Sequence, residues 1–196
     1  MIKQNSNFDD FTQLEQYINQ EELARIKTEL MTCPEINNTL CGTICELSKN
    51  HAKSVFISSP EMVIDDQGLI FEGFVFAAAN YVAQAAINKE YSIIISARSS
   101  FYAPLKLGDV LIFEAQALFD ETSKKREIRV VGHVKDIKVY EASMQAVVTE
   151  QHIFKLKRPP SNIIQTPTTE EKNPANPAPA VSPDAIAPAT LNSPGK

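Results

Sequence analysis

The chain has no Trp, only six Gly among 196 residues, and three Cys. An odd thiol count in a chain that reads as cytoplasmic argues against a disulfide framework. Cys41 and Cys45 are one helical turn apart, but His51 alone makes a poor second half of a zinc site, so reduced thiols packed as small apolar groups are expected and no metal. Basic residues are also scarce, 19 Lys and Arg against 24 Asp and Glu. The resulting charge of −5 and pI near 5.3 exclude a nucleic-acid surface, which needs clustered cations to displace counterions. No run reaches the roughly 20 apolar residues of a membrane span. The opening "MIKQNSNFDDF" carries acids where a signal peptide would be basic. A cytoplasmic protein that binds neither nucleic acid nor membrane is the expectation.

Three regions follow from composition. Nine of the 12 prolines lie from Pro159 onward, among Ala, Asn, Ser and Thr. Such a segment cannot offset its ordering entropy, so residues 159–196 read as a disordered tail. Residues 1–50 read as a helical extension. Phe11, Leu14, Ile18, Leu23, Ile26 and Leu30 recur near helical period until Pro34, and Ile36, Leu40, Ile44 and Leu47 suggest a second helix over Glu35–Lys49. Its acids, Glu21, Glu22 and Glu29 among them, outnumber its bases, which favours packing or dimerisation over DNA reading.

Between them, residues 51–158 form the core domain. "SVFIS" and "MVIDDQGLIFEG" are short strand-like pieces joined by Asp-Asp-Gln-Gly turn chemistry. Four longer strands follow a helix. Ile93, Ile95, Ala97, Ser99 and Phe101 are expected on one face of the first. Leu111, Phe113, Ala115 and Ala117 oppose Glu114 and Gln116 in the second. Ile128, Val130 and Val134 oppose Arg129 and His133 in the third, and Tyr140, Ala142, Met144 and Ala146 oppose Glu141 and Ser143 in the fourth. One apolar face per strand implies an antiparallel sheet covered on one side. The cover is "FEGFVFAAANYVAQAAIN", an Ala-rich helix over Phe74–Asn88 that lets its backbone approach the sheet. An α+β fold, a curled sheet around one long central helix, follows.

That helix is apolar nearly all round, yet carries Asn80, Gln84 and Asn88 at four-residue spacing. Amides are costly to bury without partners, so the stripe should face a ligand, a second subunit or solvent. Gly73, near the helix start, is the residue type that lets a ligand reach backbone N–H groups, and such groups hold a developing oxyanion. Asn80 can hold water or a carbonyl but cannot act as a base; Glu72 is the nearest carboxylate. No nucleophile elbow is present, and His133 and His152 lack the neighbours of a triad.

The order of "EGFVFAAANYVAQAAIN" and "SARSSFYAPLKLGDVLIFEAQAL" resembles the acyl-thioester hotdog superfamily. It is similar above all to the ligand domain of the lipid-synthesis repressor FapR, through Phe76, Ala77, Ala79 and Asn80, and through Phe101, Pro104, Lys106, Leu107, Gly108 and Asp109. The resemblance covers about Ser54–Leu156, and extends to flagellar-coregulated, virulence-associated hotdog proteins. It implies a homodimer that binds acyl-CoA or acyl carrier protein as ligand or substrate, without a cofactor. Thioester hydrolysis is the implied activity, and a non-catalytic acyl-CoA sensor or adaptor the alternative. In related thioesterases an acid occupies the position that Gly73 spacing gives to Asn80. The resemblance makes Asn80, Gly73 and Glu72 candidate catalytic residues, and Phe74, Phe76, Gln84, Arg98, Ser100 and Lys106 candidate substrate contacts. Where FapR holds the malonyl carboxylate with a basic side chain, Ser100 and Ala103 stand here, which favours a neutral acyl group; Arg98 keeps malonyl open. "SKKR", Ser123–Arg126, is a further candidate for CoA phosphates. Loss of the repressor's basic DNA-binding helices removes transcriptional repression from what carries over.

Overall fold

The computed structural model describes residues 14–118 and 123–156. These fall within a unit spanning Met1–Lys157. The expected tail, 159–196, and the first residues of the expected N-terminal helix lie outside the described residues.

Helix α1, Gln20–Glu29, starts where Asn19 accepts the Glu22 N–H on its side-chain oxygen at 2.8 Å. Arg25 pairs with Glu22 and Glu29 one turn to either side, and Ile26 is buried. The second expected helix is corrected. Only Asn38–Cys41 is helical (α2), because Gly42 turns the chain at φ 80°, where an added Cβ would sit 2.7 Å from the Val55 carbonyl. Thr43–Ser48 is instead strand β1. Ile44 and Leu47 reach the core because a bulge between Ile44 and Glu46 resets the pleat, which imitates helical spacing. The sheet therefore begins eight residues before the expected boundary at 51.

Strand β2, His51–Ile57, completes this hairpin. The second strand-like piece, 62–73, is also corrected. It contains two isolated bridges, Val63 with Ile70 and Leu69 with Lys106, around an Asp65 side chain that accepts from the Gln67 and Leu69 amides. Helix α3, Glu72–Ile87, follows and ends on Asn88 at φ 48°. Strands β3 (Ser92–Phe101), β4 (Val110–Ala117), β5 (Lys125–Val134) and β6 (Ile137–Val148) complete a six-stranded antiparallel sheet in the order β1-β2-β4-β5-β6-β3.

The register sorts the concave face into rows across the strands. Leu47, Ala52, Ala115, Val130, Ala142 and Ser99 form one row, small across most of its width. A shallow row of this kind lets an Ala-rich helix lie close; Ala78, Ala79, Ala83 and Ala85 of α3 are fully buried. The next row holds Ser54, Phe113, Gly132, Tyr140 and Phe101. Gly132 leaves the space over which the Phe113 and Tyr140 rings meet edge-to-face at 5.6 Å; a Cβ there would lie 2.9 Å from Phe113. Strand β4, residues 125–132 of β5 and residues 140–148 of β6 face as their alternation requires, while a register shift between Gly132 and His133 leaves Val139 buried next to Tyr140. Strand β3 does not: a bulge between Ile94 and Ser96 puts Ile94, Ala97, Ser99 and Phe101 on the concave face and leaves Ile93 and Ile95 exposed.

Candidate functional site

The opening turn of α3 has no side-chain cap. Its N-cap residue is Phe71, a position that usually carries Ser, Thr, Asp or Asn. The Phe71 N–H goes to the Met62 carbonyl and the Phe74 N–H to the Phe71 carbonyl, while the Glu72 and Gly73 amides have no acceptor among the described residues. Two free donors at the positive end of a 16-residue helix suit an oxygen carrying negative charge. Gly73 gives close approach, but to a side chain: the Phe71 ring lies where a Cβ would be, and packs edge-on against Phe74. Lys106 stands beside this turn. Its neighbour Leu105 accepts the Ile70 N–H, and Ser58 ties the loop by donating to the Lys106 carbonyl.

Two turns further on, Asn80 is half-buried. Gln84 Nε2 donates to Asn80 Oδ1 at 2.9 Å, and Ser92 Oγ lies 3.4 Å from Gln84 Oε1. With its oxygen engaged, Asn80 presents its NH2 group, a donor fit for a carbonyl. Gly73, Ala77, Asn80 and Gln84 thus form one stripe along α3 on a side the sheet leaves uncovered, since α3 packs chiefly on β2 and β4 and little on β3 and β6. Phe76 is half-buried beside that stripe. Asn88 leaves the expected stripe role: its Oδ1 accepts from Met31 N at 2.7 Å and its Nδ2 donates to the Glu29 carbonyl at 3.0 Å, tying α1 to the end of α3.

Glu72 is exposed at the helix start, roughly 12 Å along the axis from Asn80 at 1.5 Å per residue. Within one chain the two cannot serve the same carbonyl. Arg98 and Ser100 are not brought to the helix either. They oppose Ser143 and Glu141 on the convex face, so the sheet itself separates them from α3. They line a groove of about 310 Å³ with Tyr102, Arg129 and Glu141. Glu141 accepts from Lys138, Arg129 and Tyr102, and the first two hold its carboxyl down at about 2. In "SKKR", Arg126 is turned inward and buried, and Lys124 pairs with Glu150. The thiols are free, and burial pushes that of Cys45 up to about 11. Among the described residues no cluster of acids, His and Cys could hold a metal, and no helix is long and apolar enough to cross a membrane.

Two residues of this region are not singled out by pattern. Phe71 carries a faint signal, an aromatic side chain where a capping residue belongs. Tyr140 carries none, since it reads as one more inward position of β6.

A six-stranded antiparallel sheet curled around a central helix is the hotdog fold. The fold recurs in a Streptococcus mutans protein solved with acetyl-CoA, at a TM-score of 0.53 and 15% identity over 60% of this chain and 96% of that one. Cj0977, a sigma28-regulated virulence protein from Campylobacter jejuni, superposes with a TM-score of 0.71 and is 63% identical over 72% of this chain and 99% of that one. The chain belongs to the hotdog family that this Campylobacter protein represents. Among curated proteins, it is 29% identical over 100 residues to the transcription factor FapR of Shouchella clausii, covering 50% of this chain and 52% of that one. It is 30% identical over 112 residues to a methylthioribose-1-phosphate isomerase of Aquifex aeolicus, covering 57% of this chain and 24% of that one. The chain spans about half of the first and a quarter of the second. No family model matches.

Proposed function

We propose that this protein binds acyl thioesters, as acyl-CoA or on an acyl carrier protein, between two copies of the chain. Gly73 and Asn80 lie roughly 10 Å apart along α3, too far to meet one carbonyl oxygen. Two antiparallel α3 helices would bring Gly73 of one subunit to Asn80 of the partner subunit. The bare edge of β3, with Ile93, Ile95 and Phe101 exposed, is the surface for that pairing. The carbonyl oxygen would accept from the Gly73 amide and the Asn80 NH2 group. Phe74 and Phe76 would line the acyl chain, and Lys106 stands where a CoA phosphate would pass.

The observation that carries this reading is the Gln84–Asn80 hydrogen bond, which engages Asn80 Oδ1 and leaves its NH2 group to donate. It also favours holding a thioester over hydrolysing it, because the position where related hydrolases use an acid here offers no base. That supports the sensor or adaptor role. Hydrolysis would need Glu72, next to Gly73, as the base. A panel of acyl-CoAs followed by calorimetry and by a thiol reagent tests both readings. Saturable binding without turnover in the wild type, weakened about tenfold in Asn80→Ala, is expected, with Asn80→Asp gaining hydrolysis. Turnover by the wild type that is lost in Glu72→Gln would replace the sensor reading with the hydrolase. A monomer by light scattering would overturn the two-subunit site.

A further inference from the structure

Tyr140 has zero exposure, and its hydroxyl has no hydrogen-bond partner among the described residues. Its ring is fixed between Phe113 and Phe101, at 5.6 and 5.1 Å. Ser99, on the concave face of edge strand β3, is the hydroxyl near enough to influence its titration, though not in hydrogen-bond geometry. Burial pushes the Tyr140 phenol up to about 12, so it stays a proton donor at any physiological pH. A donor buried without an acceptor costs stability, and Phe would fill the same space without that cost. Keeping a hydroxyl there calls for an acceptor that arrives from outside.

Its location says what arrives. Tyr140 and Ser99 share the concave face with α3, on β6 and β3, which the helix covers little, so an acyl chain held at the α3 site would run towards them. A carboxylate needs a cation. Arg98 is on the other side of the sheet, and the buried Arg126 is six residues along β5 from Gly132, the Tyr140 partner, roughly 20 Å away. An uncompensated carboxylate is far costlier to bury than a neutral oxygen.

We infer that Tyr140, with Ser99, is a specificity residue for acyl groups bearing a neutral oxygen, a hydroxyl or ketone, beyond the thioester carbonyl. The inference rests on thioester binding at the α3 site. The upstream chemistry would then be the hydration of an enoyl thioester, or the condensation or reduction that yields 3-oxo- and 3-hydroxyacyl groups.

Calorimetry with butyryl-CoA, 3-hydroxybutyryl-CoA, acetoacetyl-CoA and malonyl-CoA tests it. The wild type should bind an oxygenated four-carbon acyl-CoA about tenfold tighter than butyryl-CoA, with malonyl-CoA weakest. Tyr140→Phe should abolish that preference, leave butyryl-CoA affinity unchanged, and melt at the same temperature as the wild type or higher. Equal affinities in the wild type, a preference that survives in Tyr140→Phe, or a clear fall in its melting temperature would each overturn the assignment. If no acyl-CoA binds at all, the thioester reading falls and this one with it; butyryl-CoA binding without discrimination removes the Tyr140 role alone.

Discussion

Two tyrosines, Tyr102 and Tyr140, sit on opposite faces of the same sheet edge and could hardly differ more. Tyr102, just past β3, is 56% exposed; its hydroxyl donates to Glu141 and its ring lies 4.8 Å under the Lys138 ammonium. Tyr140 is wholly buried and its hydroxyl is unmatched. The convex face follows the ordinary economy of a solvated surface, in which most charges find an opposite and each pair is worth little. Across it, Lys53 meets Glu46, His51 meets Glu114, and Arg129 and Lys138 meet Glu141. The concave face is apolar, so a polar group buried there without a partner carries a cost that calls for a purpose. Function in this molecule is to be sought where polarity is expensive.

That contrast can be broken by design, and the largest effect is expected on the concave side. Ala83→Leu forces a side chain between α3 and the sheet, where Ala83 has no exposure; a loss of about 3 kcal/mol in urea unfolding is expected. A loss under 1 kcal/mol would mean that the helix rides looser than the small row implies. Next comes the tie between helices. Asn88→Ala removes two hydrogen bonds and places Ala at a positive φ, and should cost about 2 kcal/mol. Asn88→Gly relieves the backbone but not the lost bonds, and should fall between it and the wild type.

Gly73→Ala must displace the Phe71 ring, the flexible end of an exposed side chain, while gaining helix propensity of about 1 kcal/mol. Thermal stability should change little while acyl-CoA affinity shifts, a separation seen by running both measurements on one variant. The smallest effect belongs to the convex face. Glu141 titrates at about 2 against an ordinary 4.5, held down by Lys138 and Arg129. A carboxyl whose folded value is depressed stabilises the fold fully above the ordinary value, and that contribution disappears as pH falls towards 2. Melting curves of wild type and Glu141→Gln should therefore differ most at neutral pH, though slightly, and converge between pH 4.5 and 2; a gap that widens in acid would contradict this network.

Much of the concave face is legible in the sequence because pleat alternation runs unbroken through β4, through residues 125–132 of β5 and through residues 140–148 of β6. Strand β1 is not, because a bulge lets Ile44 and Leu47 mimic a helical stripe and because Gly42, which ends α2, acts through its contact with Val55. The bulge in β3 likewise exchanges Ile93 and Ile95 for Ile94 on the concave face, which no count of alternating residues detects. Asn80 stands out from sequence as an amide in a greasy helix. The direction of its hydrogen bonds does not, since that depends on Gln84 one turn away and Ser92 beyond the helix. Arg98 and Ser100 are placed correctly on a shared face; which face it is depends on pairing with β6. A missing partner, the whole signal of Tyr140, exists only in three dimensions.

The most direct test of the account is a crystal structure of the protein with butyryl-CoA. The thioester oxygen should lie within hydrogen-bond distance of the Asn80 NH2 group and of the Gly73 amide from the partner subunit, with the acyl chain on the concave face. An acyl chain seated instead on the convex face, beside Arg98 and Ser100, would contradict it.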